Sequence, residues 1–331
     1  MNAKEAKRGG PATGWPANGT DERGVALILA LLVMTLLVAL VLSLDAEARR
    51  ELREAAAFRD GLKATTLAKS GLQAARAILQ QDAQEDAKLG RTFDAATDLW
   101  ALPISNLQLG DGTIAAAIED ERAKLNLNEL ANQPDPIAKK AKVEKFKRLF
   151  ELLQLDARLV DGLMDWVDAD DEPEPNGAES VFYQSLRPPY RAANTPLTTL
   201  AELHLIKGFT SEIVRRLSPY VTVYPLSGDG GVNINTADPL VIQALDARLT
   251  PAMALEIMQG RPYRTPQDVD RVASVEPIAK ALRLTGAYQV TTDHFGARLT
   301  ATVTETTKTA RAVLYRNAST GQTSLLYYRV E

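Results

Sequence analysis

The sequence predicts an α+β fold: a long N-terminal helix packed on an antiparallel sheet, with a large, mostly helical domain of two related modules inserted between them. Three observations predict it. An uncharged apolar run, Val25–Leu44, opens a helical pattern that continues far beyond it. The last segment alternates or is rich in β-formers, with turn residues between the runs. The part between contains a divergent internal repeat.

The apolar run is long enough to cross a bilayer core, which needs roughly 20 apolar residues as helix. It follows a polar leader ending Asp21, Glu22, Arg23 and Gly24, and charge resumes at once with Asp45, Glu47, Arg49 and Arg50. A secretory signal has a shorter core and ends in small residues, whereas Leu42, Ser43, Leu44 and Asp45 make a poor cleavage site. A plain signal anchor spans equally well. Lys4, Lys7, Arg8 and Arg23 ahead of the run favour a cytoplasmic N-terminus, a signal blurred by Arg49, Arg50 and Arg53 behind it. An apolar helix directly behind a glycine, running into a polar stem, resembles the start of a type IV pilin or pseudopilin. That resemblance implies cleavage between Gly24 and Val25 with the helix retained.

Five segments follow: a leader over 1–24, a transmembrane helix over 25–44, a helical stem and the start of the sheet core over 45–120, the inserted helical domain over 121–285, and C-terminal strands over 286–331. The helix is expected to run to about Gln81 on an intermittent stripe of Leu52, Ala56, Leu62, Leu67, Leu72, Ala75 and Leu79. Thr113–Glu119, behind Gly110-Asp111-Gly112, reads as the first strand. Tyr288–Thr292, Ala297–Thr304, Ala310–Tyr315 and Ser324–Val330 read as the others, with turns at Asp293–Gly296 and Asn317–Gly321.

In the inserted part, Leu155-Asp-Ala-Arg-Leu159 recurs as Leu245-Asp-Ala-Arg-Leu249, and Lys124-Leu-Asn-Leu-Asn128 as Gly231-Val-Asn-Ile-Asn235. Arg187-Pro-Pro-Tyr-Arg191 with Thr195-Pro196 recurs as Arg261-Pro-Tyr-Arg264 with Thr265-Pro266. The order is the same in both copies, so two tandem modules are the simplest account. Copy one carries an extra acidic segment, Asp165 to Glu179, that copy two lacks.

So many carboxylates in one loop repel unless solvated or bridged by a cation. Calcium, a hard ion taking six to eight oxygens, suits such a loop. Counted from Asp168, oxygen side chains fall at offsets 1, 3, 5 and 9 with Glu179 at 12, but Pro173 stands where an EF-hand requires glycine, so the loop is not an EF-hand. The candidate calcium ligands are Asp168, Asp170, Asp171 and Glu179, with Asn194 and Glu202 as further oxygens from the next segment. The alternative is a solvated acidic loop. Trp166 reads as a core residue.

Composition limits other chemistry. The net charge is −4, cysteine is absent and the two histidines, His204 and His294, lie far apart. Thiol catalysis and cysteine-based zinc sites are excluded, a Ser-His-Asp triad has little material, and the bulk charge gives no nucleic-acid footprint. Two alternatives to an assembly protein stay in view. Asn233–Ala237 with Arg261–Arg264 resembles helix–hairpin–helix DNA-binding proteins of the competence type. There, however, the hairpin Leu249-Thr-Pro-Ala252 lacks glycine, and Pro251 deletes an N–H donor. An acid/base hydrolase using paired carboxylates between Asp165 and Glu179 is the other.

The Gly24 junction, the Asp165-Trp-Val-Asp168-Ala-Asp170 loop, Gly177-Ala-Glu179, Pro189-Tyr190 with Asn194, Glu202-Leu203 and Asn233-Ile-Asn235-Thr236-Ala237 together resemble general secretion pathway protein K, the large minor pseudopilin of type II secretion. The resemblance covers the chain from about Arg23 to its end. It implies a pseudopilin core with an inserted calcium-binding helical domain, a non-enzymatic place at the tip of the periplasmic pseudopilus, I- and J-type minor pseudopilins as partners, and no nucleic acid. It also implies processing by the prepilin peptidase, methylation, and a single pass through the inner membrane with the bulk of the chain in the periplasm. Leu29 stands fifth after the cut, where most pilin-like subunits carry Glu. A membrane-buried carboxylate is costly unless paired, and a tip subunit has no neighbour above to pair it, so an apolar residue fits an assembly role there. Leu29 is equally an ordinary membrane residue. Val25 departs from the usual Phe or Met, and the leader is longer than is typical.

Overall fold

The computed structural model describes residues 22–131 and 135–331. The leader before Glu22 lies outside them. Two compact units divide the described chain, one ending at Arg59 and one running from Asp60 to Glu331.

The first unit is the beginning of helix α1, which spans Glu22–Leu89. Gly24 and Val25 fall in its first turn, and the apolar side chains from Val25 to Leu44 are exposed, Leu29 among them. A helix that is apolar on every face and buried on none has the surface of a membrane span.

In the second unit, α1 continues to Leu89 and Gly90 leaves it with φ +62°, so the helix outlasts the expected end near Gln81 by about two turns. Asp82 and Glu85 carry those turns because their side chains are used, Asp82 inward and Glu85 on Gln81. The face that packs is Ala64, Ala68, Leu72, Ala75 and Leu79, a run of four- and three-residue steps. Leu62, expected on this stripe, is exposed, because small alanines rather than leucines make the close approach to the sheet.

Strand β1 (Ile104–Leu109) turns through Gly110 into β2 (Gly112–Asp120). The chain then enters the helical domain: β3 (Leu125–Asn126), α2 (Pro136–Leu152), α3 (Leu159–Val167), α4 (Ser180–Gln184), α5 (Ser211–Leu217) and β4 (Val221–Thr222). A second set follows, β5 (Val232–Asn233), α6 (Pro239–Leu245), α7 (Pro251–Gln259), α8 (Glu276–Leu284) and β6 (Tyr288–Gln289), before the chain returns through β7 (His294–Val303), β8 (Thr306–Arg316) and β9 (Thr323–Val330). The main sheet is antiparallel throughout, in the order β1-β2-β7-β8-β9. One core lies between α1 and this sheet, built on Leu72, Leu79, Phe295, Leu299 and Leu314, with Trp100 edge-on to Phe295 at 5.2 Å.

Two expectations about the C-terminal strands change as well. Tyr288–Thr292 is not a strand of the main sheet; only Tyr288–Gln289 is extended, and it pairs in parallel with β5 inside the helical domain. The expected turn Asp293–Gly296 is mostly strand, since β7 begins at His294.

The repeat is visible as matching hydrogen bonds. β3 pairs in parallel with β4 as β5 does with β6. Asn126 caps Asn128 N–H, and Asn233 caps Asn235 N–H. Asn128 holds Leu197 through its N–H and C=O, and Asn235 holds Tyr263 the same way. Arg158 grips Asp156 as Arg248 grips Asp246. Thr199 with Glu202, and Thr265 with Asp268, form equivalent capping boxes.

Copy two's Leu249–Ala252 is a helix start. Thr250 accepts from Met253 N–H and Pro251 occupies the first turn of α7, which explains the proline in place of an anion-gripping glycine.

Two buried polar clusters bind the parts of this unit together. Arg316 on β8 lies between Asp82 of α1, at 2.9 Å, and Asp94, with its guanidinium over the Phe295 ring. Asp120, at the end of β2, accepts from Arg122 N–H, Asn233 and Thr236, which ties the sheet to copy two.

Candidate metal centre

Helix α3 is buried on nearly every face, and its sequence sets Asp161 and Asp165 one turn apart on the side where the acidic insert passes. The insert is laid over these two carboxylates. Asp161 accepts from the backbone and side-chain N–H groups of Asn176, and Asp165 Oδ1 accepts from Glu174 N–H at 3.0 Å. Gly177 comes so close that a Cβ there would lie 1.9 Å from Asp165 Oδ2, so only glycine fits.

Past α3, Asp168 is the C-terminal cap in an extended conformation and turns its carboxylate back toward the insert. Glu179 precedes α4 and is buried. Oxygens of Asp168, Asp170 and Glu179 lie within 4.8 Å of one another. Asn194 joins them from the following segment. Its left-handed backbone (φ 47°) is anchored by its N–H on Trp166 C=O, and its Nδ2 donates to Asp170 C=O and Asp171 Oδ1. Trp166 itself is a core residue, packed edge-on to Tyr183.

The oxygens at the centre lack donors. Both carboxylate oxygens of Glu179, Asp168 Oδ1, Asp165 Oδ2 and Asn194 Oδ1 are buried without a hydrogen-bond partner. Leaving such groups unsatisfied costs roughly 1–3 kcal/mol each and more when charged. Burial, followed by the charges of Asp165, Asp168 and Asp171, pushes Glu179 up to about 7. Burial and then Asp170 push Asp168 up to about 6, against the weak pull of Lys139, whose Nζ is 3.9 Å away. Asp165 is raised as well, chiefly by burial. These acids are held apart from solvent, short of donors and mutually repelling, and a cation bound by oxygen alone answers all three conditions.

The sequence candidates divide. Asp168, Asp170 and Glu179 converge, and Asn194 borders them through its Nδ2 on Asp170 and Asp171, with its Oδ1 buried and unpartnered. Asp171 is exposed and engages Asn194. Glu202 does not join the cluster; its Oε1 accepts from Thr198 N–H, Thr198 Oγ1 and Thr199 N–H as the capping box of the next turn. Asp165 and Asp161 were missing from the candidate ligands, although their four-residue spacing on an apolar helix was visible in the sequence.

Comparison with known proteins gives one consistent result. The family described as "Type II secretion system (T2SS), protein K" matches in two parts, residues 123–226 and 232–295, which are the two modules of the repeat. The chain is 32% identical over 251 residues to type II secretion system protein K of Klebsiella pneumoniae, covering 72% of this chain and 75% of that one. It is 32% identical over 247 residues to the protein of the same name from Pseudomonas aeruginosa, covering 72% of each. Among solved structures, a chain in the crystal structure of the GspK-GspI-GspJ complex from enterotoxigenic Escherichia coli superposes with a TM-score of 0.70 at 23% identity, covering 85% of this chain and 99% of that one.

Proposed function

Because this chain belongs to the type II secretion system protein K family, and so is a minor pseudopilin of protein export, we propose that it caps the tip of the pseudopilus. The fold supports the role. α1 offers an apolar span followed by a stem packed on a sheet, and the helical domain adds bulk beyond what a repeating filament subunit needs. The assembly is non-enzymatic in this reading. Its partners are I- and J-type minor pseudopilins, the neighbours in the solved complex that the fold resembles. Cleavage by the prepilin peptidase after Gly24 leaves Val25 as the new N-terminus, and Leu29 spares the tip an unpaired carboxylate in the membrane. The bulk of the chain then lies in the periplasm.

In the same reading the centre holds calcium. Asp168, Asp170, Glu179 and Asn194 supply the oxygens, with Asp165 Oδ2 beside them, and the ion neutralises the insert and fixes it on α3. The buried, donorless carboxylate of Glu179 is the single observation that carries this.

Processing tests the pseudopilin assignment. The chain extracted from inner membranes is expected to begin at Val25 by intact mass, and Gly24→Phe to accumulate at full length. A mature form beginning near Asp45 would remove the retained anchor and the filament role with it.

A further inference from the structure

Strands β7, β8 and β9 bring three arginines into one cross-strand row, Arg298 opposite Arg311 and Arg311 opposite Arg329. Their sequence neighbours Ala297, Leu299, Ala310 and Ala312 turn into the core under α1, so alternation sends the arginines to the opposite face, where all three are exposed. Like charges set directly across a sheet repel. The side chains of Arg298 and Arg311 nevertheless have no hydrogen bond or ion pair with any described residue, and that of Arg329 has only Glu331, at 3.8 Å.

The row floors a cleft of about 710 Å³ whose other wall is the helical domain. That wall adds Arg215 of α5, also unpaired among the described residues, and His204. Lys124 lies there too but is held by Glu119 and Glu121. Three free guanidinium groups thus face one concave space in a chain whose net charge is −4.

We propose that this cleft docks an acidic peptide segment of a partner protein, with the carboxylates on one face of the extended segment lying along the arginine row. Adjacent strands are about 4.8 Å apart, so the row covers about 10 Å, the length of three residues of extended peptide. A guanidinium presents a planar fork that matches a carboxylate two bonds at a time. Glu119, Glu121 and Glu331 line the same cleft and oppose a long polyanion such as nucleic acid, whose charge runs on past the short arginine row. Val313 and Tyr327 place apolar surface beside the row for the methylene stems of the acids.

The test uses the full chain in a non-ionic detergent and a fluorescein-labelled peptide, Gly-Ser-Glu-Glu-Glu-Ser-Gly, read by fluorescence anisotropy. Binding is expected to weaken about tenfold in Arg298→Gln/Arg311→Gln and to fall as salt rises from about 50 to about 500 mM. Lys280→Gln, which removes a cation on α8 outside the cleft, should leave it unchanged. The double variant alters exposed side chains only, and an unchanged melting temperature confirms that it folds. Failure of the peptide to bind, equal binding by the double variant, or tighter binding of a seven-residue oligothymidylate would each overturn the proposal.

Discussion

Lowering the pH from 8 to 6 should weaken calcium binding by about 20-fold. Binding requires the ionised carboxylates, and protons compete for them. With Glu179 pushed up to about 7 and Asp168 to about 6, both groups are ionised together in about nine-tenths of molecules at pH 8 and in about one-twentieth at pH 6. That ratio is worth about 1.8 kcal/mol of binding free energy. The stability of the metal-free chain moves the other way. Both acids sit above their ordinary values of 4.5 and 3.8, so their contribution is complete below about pH 4 and is lost as pH rises through 6 and then 7. The melting temperature should therefore drop on chelation much more at pH 8 than at pH 6. Titration calorimetry in two buffers of different ionisation enthalpy measures the coupling directly: about 1.4 protons released per ion at pH 6 and about 0.1 at pH 8. Equal affinity at the two pH values, with no proton release, would refute the assignment of Asp168 and Glu179 as ligands.

Replacing Glu179 with Gln removes the most perturbed carboxylate while keeping its shape. The metal-free melting temperature should rise and the response to chelator should shrink, both readable in one fluorimetric melt. Arg316→Met strands Asp82 and Asp94 inside the unit, where burial and then Asp86 already push Asp82 up to about 6. Removing one partner of a buried ion pair costs about 3–5 kcal/mol, and a urea titration followed by tryptophan fluorescence should show it, Trp100 lying in that core.

Much of the fold was legible because its signals are periodic. The strands of the main sheet after Gly110 announce themselves by alternation and by the glycine turns beside them. The internal repeat survives as the Asn and Asp positions whose side chains clamp backbone, which substitution by apolar residues would leave unsatisfied. β1 was missed because Ile104–Leu109 is an exposed edge with polar residues on both faces, so no buried stripe marks it. Tyr288–Thr292 misled because β-propensity does not say which sheet a strand joins.

The site was half legible. The insert's carboxylates gave the location, but whether an acid faces the centre depends on how α3 and the loop pack. Glu202 was separable in principle: Thr199 three residues earlier is a capping-box spacing, and Thr265 with Asp268 repeats it in the copy that lacks the insert. A feature common to both modules belongs to their fold, and only what copy one has alone belongs to the candidate centre.

The most direct test of the assembly role is co-expression of the chain with I- and J-type minor pseudopilins from the same secretion system, followed by affinity capture on this chain and a sizing column. The account predicts one peak containing all three subunits in equal amounts. Elution of this chain by itself, with the I- and J-type subunits running together without it, would contradict it.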